Sequence, residues 1–170
     1  MRTLSLLACL FFTTALHAQQ LQDFAGTWHI DPAKVEEKAS LLENPPSGAP
    51  AIPPPPPSNH TYTLEQIRLT GDVLKISGGE AGTTAVYTID PSGKEVSDPI
   101  PDAPGSVRIA TTHWSNGKLV TEWRMERDGQ MFMHGTDKRS LNPGGQQILE
   151  RSIESPRHKA TVRLVMEKTK

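Results

Sequence analysis

The sequence predicts an all-β fold, an antiparallel sandwich or barrel wound as a meander, on three observations. Apolar and polar residues alternate with period two in short segments after Thr61, turn residues interrupt those segments every 8 to 12 positions, and helical periodicity does not return. Asn116-Gly117 and Asp128-Gly129 are two-residue hairpin signals, Pro91-Ser92-Gly93 and Asn142-Pro143-Gly144-Gly145 are looser turns, and Ser155-Pro156 breaks the last pair. These breaks place strands near 26–31, 61–69, 72–78, 83–89, 106–114, 118–126, 131–141, 146–154 and 159–168, with a short one at 94–97.

The first residues read as a targeting segment. Met1-Arg2-Thr3 is a short basic start, Leu4 to Leu16 is apolar, and Leu16-His17-Ala18 ends in a small residue, so residues 1–18 are expected to be a signal peptide cleaved after Ala18. Residues 19–170 then form one domain in an exported protein, secreted or periplasmic. The single cysteine, Cys9, sits in a Leu6-Leu7-Ala8-Cys9 stretch that resembles a lipoprotein box, but the apolar run continues past it through Phe11 and Phe12, which favours its departure with the signal over lipid anchoring at Cys9. No later stretch approaches the ~20 apolar residues of a membrane helix.

Composition narrows the classes further. Lys plus Arg number 18 against 19 Asp plus Glu, a net charge of −1, which offers no polyanion-binding stripe and argues against nucleic acid as a partner. Loss of Cys9 would leave no thiol for a disulfide, a nucleophile or a thiolate metal site.

Before the strands begin in earnest, Asp31-Pro32 pairs a favoured N-cap with a favoured first helical residue, and Val35, Ala39 and Leu42 follow at helical spacing, so a short helix is predicted over Pro32 to Glu43. From Pro45 to Pro57, eight of thirteen residues are proline, which marks 44–60 as an exposed, stiff, extended loop insertion.

The clearest strand is Leu119 to Glu126, whose inward face must be Leu119, Thr121, Trp123 and Met125, since Val120, Glu122, Arg124 and Glu126 occupy the other. The same alternation assigns Val107, Ile109, Thr111 and His113 inward in the preceding strand, and Ala160, Val162, Leu164 and Met166 in the last. Asp137 and Arg139 share the phase of Met131 and Met133; they are read as a strand end emerging into water in preference to a polar patch inside.

Phe24-Ala25-Gly26-Thr27-Trp28-His29-Ile30-Asp31 begins the domain with Gly-x-Trp, and Asp31-Pro32-Ala33-Lys34 extends it. With Tyr62-Thr63-Leu64-Glu65, the Trp114 to Val120 hairpin, Glu150-Arg151-Ser152-Ile153-Glu154-Ser155-Pro156 and Leu164-Val165-Met166-Glu167-Lys168, this start resembles the lipocalin-like proteins of the calycin superfamily, in particular a group of small exported bacterial ones. The resemblance implies an up-and-down lipocalin-like barrel of about 8–10 strands, here with one short N-terminal helix and the Pro-rich loop. It also implies that Trp28 closes one end and stacks on an arginine from a late strand. Arg151 shares a face with Leu149 and Ile153, which makes it the better candidate than Arg163 for a Trp28–Arg151 contact.

No Gly-x-Ser-x-Gly elbow, phosphate loop or dinucleotide fingerprint is present, and His29, His60, His113, His134 and His158 are scattered singly without metal-ligand spacing. No catalytic, metal or cofactor residue is therefore assigned, and His113 alone would support an enzyme of the isomerase or hydrolase kind. The leading expectation is a barrel that binds a small hydrophobic or amphipathic ligand non-covalently inside, touched by Tyr87, Ile109, Thr111, His113, Trp123, Met125 and Met133. The alternative is a filled barrel acting as a protein-interaction or inhibitor module through its rim or Pro-rich loop. Whether the barrel is hollow stays open at this level.

Overall fold

The computed structural model describes residues 19–41, 64–78, 85–100 and 103–169. The expected signal segment with Cys9, the proline run and His60 lie outside them. Among the described residues, eleven strands form one antiparallel sheet: β1 Gly26–Ile30, β2 Glu36–Leu41, β3 Leu64–Thr70, β4 Val73–Gly78, β5 Ala85–Ile89, β6 Glu95–Pro99, β7 Ser106–Ser115, β8 Lys118–Arg127, β9 Gln130–Leu141, β10 Gln147–Glu154 and β11 His158–Lys168. The expected strands are all present, and the fold is the predicted all-β, up-and-down barrel.

Two hairpins show why the strands fall where they do. Asn116 and Asp128 have φ of 49° and 50°, each followed by a glycine at positive φ, a conformation that Asn-Gly and Asp-Gly accept and whose twist matches that of the flanking strands. The first turn sets Ser115 opposite Lys118 and aligns ten residue pairs of β7 and β8.

The sheet runs β5-β4-β3-β1-β11-β10-β9-β8-β7-β6, so its two end strands are β5 and β6. They meet through side chains: one Asp98 carboxylate accepts the Thr88 backbone N–H at 2.8 Å and the Thr88 hydroxyl at 2.7 Å. Asp98 thus takes the place a strand carbonyl would occupy, and the seam is held by a side-chain staple.

The segment predicted as a helix over Pro32 to Glu43 is different. The start signal is real, since Asp31 caps the Ala33 N–H at 3.0 Å, but it yields only a 3-10 turn over Pro32–Lys34, after which the chain extends into β2. The reason is tertiary. β11 is longer than β1, which pairs only with its last residues, and β2 fills the remaining edge from Arg163↔Glu36 to His158↔Leu41. Six ladder residues outweigh three apolar positions at helical spacing.

One end of the barrel is solid. A 3-10 turn over Leu21–Phe24 lies across it, and Phe24, Trp28, Ile67, Leu74, Leu119 and Met166 pack beneath, with Phe24, Leu74, Leu119 and Met166 fully enclosed. Trp28 donates its indole N–H to the Phe24 carbonyl at 2.8 Å, which satisfies the polar atom of a buried aromatic. The cation over the Trp28 ring is Lys168, with Nζ 5.3 Å from the centroid, and not the expected Arg151. Register explains the difference: on β11, Trp28 stands opposite Lys168 and Arg151 opposite Val162, about 20 Å apart along a strand that rises ~3.3 Å per residue.

Candidate functional site

Beyond the packed end the barrel is hollow. A cavity of about 230 Å³ lies between β1, β3, β4, β5, β7, β8, β9, β10 and β11. Its apolar wall includes Ile76, Ile89, Met125, Met133, Leu149 and Ile153, each placed inward by strand alternation. Tyr87, Trp123, Met125 and Met133 line it, as four of the residues singled out from the sequence.

Ile109, Thr111 and His113 do not. β7 presents Ser106, Arg108, Ala110 and Thr112 to the interior, and His113 is exposed. Apolarity alone points to the opposite phase for β7, because Val107 and Ile109 are its apolar pair. The two-residue turn at Asn116-Gly117 decides otherwise, since it sets Thr112 opposite Thr121, Ala110 opposite Trp123 and Arg108 opposite Met125, and opposed residues share a face. Thr112 and Thr121 accordingly share a buried hydrogen bond of 2.8 Å.

The same correction brings a charged group indoors. Arg108 is 4% exposed, Asp137 4% and Arg139 3%, so the Asp137–Arg139 pair is interior and not a strand end in water. The polar part of the cavity consists of Arg108, Arg139 and Arg151 with the carboxylates of Asp137 and Glu65. An interior expected to be apolar with a few polar spots therefore holds three guanidinium groups against two carboxylates.

Two of the three arginines each donate two hydrogen bonds to one carboxylate. Arg151 donates from Nε and Nη2 to the two Asp137 oxygens at 2.8 and 2.6 Å, because β9 and β10 pair these residues directly. Trp123 adds its indole N–H to the same carboxylate at 3.0 Å. Burial, the strongest influence on Asp137, opposes its charge, but Arg151, Arg139 and the Trp123 N–H together hold its pKa at about 2. Gly135 makes this geometry available: a side chain there would run into the Ser152 carbonyl and the Trp123 ring. Arg139 donates to both oxygens of Glu65, at 2.8 and 3.0 Å.

Arg108 is held differently. Its guanidinium lies 4.7 Å from the Tyr87 ring centroid and 6.0 Å from that of Trp123, two aromatic faces that attract a cation. The nearest carboxylate oxygen, on Asp98, is 4.0 Å from Nη1, and both Asp98 oxygens already accept from Thr88. Nη1 is buried with no hydrogen-bond partner. Burial lowers the Arg108 pKa from its ordinary value and the Asp137 charge counters it; a guanidinium remains charged.

His29, His113 and His134 are exposed on separate strands, and among the described residues no three acidic, histidine or cysteine side chains form a metal-binding group. Glu126, Glu150 and Glu154 sit in outer-wall ion pairs with Arg124, Lys118 and Lys159.

No family model and no curated protein matches the chain. Solved structures do. The "REP1-NXSQ fatty acid transporter" aligns with a TM-score of 0.51 at 10% identity over 88% of this chain and 98% of its own. Apo lipid binding protein 8 of Caenorhabditis elegans aligns with a TM-score of 0.51 at 11% identity over 87% of this chain and 98% of its own. At this identity the likeness is one of fold, and it agrees with the calycin-like barrel that the Gly26-Thr27-Trp28 start implies.

Proposed function

We propose that this protein is an exported barrel of the lipocalin-like kind that takes a small hydrophobic or amphipathic molecule, without covalent attachment, into its interior. The observation that carries the reading is the cavity of about 230 Å³, walled by methionine, leucine and isoleucine side chains and closed at its far end by the Trp28 cluster. A wall of this kind gains free energy by taking apolar surface out of water, at ~25 cal/mol per Å². Met125 and Met133 adapt to irregular shapes, so the wall accepts related ligands in place of one rigid template.

The volume is just under the ~300–1,000 Å³ typical of sites for drug-sized molecules, which favours a compact or medium-chain ligand. The fatty acid transporter and the lipid binding protein of the same fold lend support by what they carry. Export follows from the basic and apolar start of residues 1–18.

Native mass spectrometry of the protein purified without detergent, followed by solvent extraction, tests the reading. The expected result is an adduct released on denaturation, or stoichiometric uptake of an added medium-chain lipid. An interior that stays empty across fatty acids, alcohols, sterols and isoprenoids overturns it.

A further inference from the structure

The floor of the barrel is strapped on by residues 19–24. Gln19 holds Leu141, the last residue of β9, as a strand neighbour would: its Nε2 donates to the Leu141 carbonyl at 2.7 Å and its Oε1 accepts the Leu141 N–H at 3.0 Å. The Gln20 N–H that follows donates to the Asp23 carboxylate at 2.8 Å, at the entry to the 3-10 turn over Leu21–Phe24. Leu21 and Leu141 pack against one core cluster, so this clamp and the turn that lies over Trp28 form one unit.

Gln19 has a second chemistry. Cleavage after Ala18 gives it a free α-amine, whose nitrogen can close a pyrrolidone ring on the residue's own Cδ. The N–Cδ bond forms, the Cδ–Nε2 bond breaks, and Nε2 departs as ammonia with one amine proton, so no co-reactant is needed. Oε1 stays as the lactam oxygen, and the former α-nitrogen keeps one hydrogen on the same side of the amide as that oxygen. The lactam thus offers the same adjacent donor and acceptor that the open carboxamide gives Leu141. Ring closure also removes the α-ammonium charge from a half-buried position and ends side-chain rotation, so the closed form suits the socket better than the open one.

We infer that Gln19 is a modification site: heading the exported chain, it cyclises to pyroglutamate, and the Leu141 backbone N–H and C=O are the socket that receives the lactam. This rests on the export reading above, through cleavage after Ala18, and is independent of what the cavity holds. The consequence is a blocked chain end at the barrel floor. A lactam offers no free amine to an aminopeptidase, so the strap that bears Leu21 and Phe24 is not trimmed away from the Trp28 cluster.

Intact mass, exopeptidase digestion and amide exchange test it. The full chain, expressed with residues 1–18 and recovered from the periplasm of a bacterial host, should weigh one ammonia less than residues 19–170. Its denatured form should resist an aminopeptidase until a pyroglutamyl peptidase has removed residue 19. Gln19→Asn, whose side chain is too short to close an unstrained ring or to reach Leu141, should keep the full mass of its sequence and be trimmed by the aminopeptidase alone. In the folded parent the Leu141 amide should exchange about tenfold more slowly than in Gln19→Asn, with the amides of β7 and β8 unchanged. Equal exchange in a cyclised parent overturns the socket. A mature chain that begins at an open Gln19, or at another residue, overturns the modification while export stands. A chain that keeps residues 1–18 overturns both, and the ligand-binding reading is untouched by any of these results.

Discussion

Arg139 on β9 and Glu65 on β3 grip each other across the barrel interior, with two hydrogen bonds of 2.8 and 3.0 Å joining strands that have three others between them in the sheet. The pair braces opposite walls where the cavity keeps side chains from packing. Its charges are nearly enclosed, at 3% and 13% side-chain exposure, so removing one member strands the other. Glu65→Gln should destabilise the fold by about 3–5 kcal/mol in urea titrations, whereas Glu65→Leu combined with Arg139→Met should return most of that loss. A single variant as stable as the parent would show that the brace bears no strain.

Asp137 predicts how the barrel responds to acid. Its folded pKa of about 2 lies below the ordinary 3.8, so its contribution to stability is fully present above about pH 5 and drains away as pH falls toward 2. The difference corresponds to about 2 kcal/mol. Asp137→Asn should be less stable than the parent at neutral pH, and the two stability profiles should converge as pH falls through about 4 toward 2. Parallel profiles down to pH 2 would count against the Arg151–Asp137 assignment.

Gly135 predicts a spectroscopic change. Alanine there must push Trp123 or the Ser152 backbone aside, which parts the indole N–H from Asp137. Gly135→Ala should cost about 1–3 kcal/mol and shift the tryptophan emission, and the shift should vanish in a Trp123→Phe background. Unchanged emission would mean the indole never depended on the missing side chain.

The β5–β6 staple should be visible in amide exchange. In Asp98→Ala the Thr88 N–H loses its acceptor, so protection across β5 should fall by about 10–100-fold while β8 and β9 keep theirs. Uniform loss across all strands would instead indicate global destabilisation.

Much of the architecture was legible because turns carry their own chemistry: Asn116-Gly117 and Asp128-Gly129 announce hairpins whatever surrounds them. The inward face of β8 was legible too, because Leu119 and Trp123 alternate with Glu122 and Arg124. The site was harder. Val107 and Ile109 made the outer face of β7 look like the inner one, and a buried arginine between them contradicts the apolar rule on which the assignment rested. Register carried forward from the two-residue turn, a stronger constraint than side-chain polarity, would have found Arg108. Arg151 was rightly placed indoors by its neighbours Leu149 and Ile153, but its partner depended on how far Trp28 lies along β11, a long-range fact with no local signal. The Pro32 to Glu43 helix failed for a related reason, since the free edge of β11 is more than a hundred residues away.

That distant edge also orders events in time. Thr169 reaches back to the Thr27 carbonyl at 3.1 Å, bridging 142 positions of sequence, and β1 cannot be sandwiched until β11 arrives. Hairpins such as β7–β8 pair near neighbours in sequence whereas β1–β11 pairs almost the two ends of the domain, so loop-closure entropy predicts that the strand bearing Trp28 is enclosed late. A chain not yet paired there lacks the floor that Trp28 and its neighbours give the hollow.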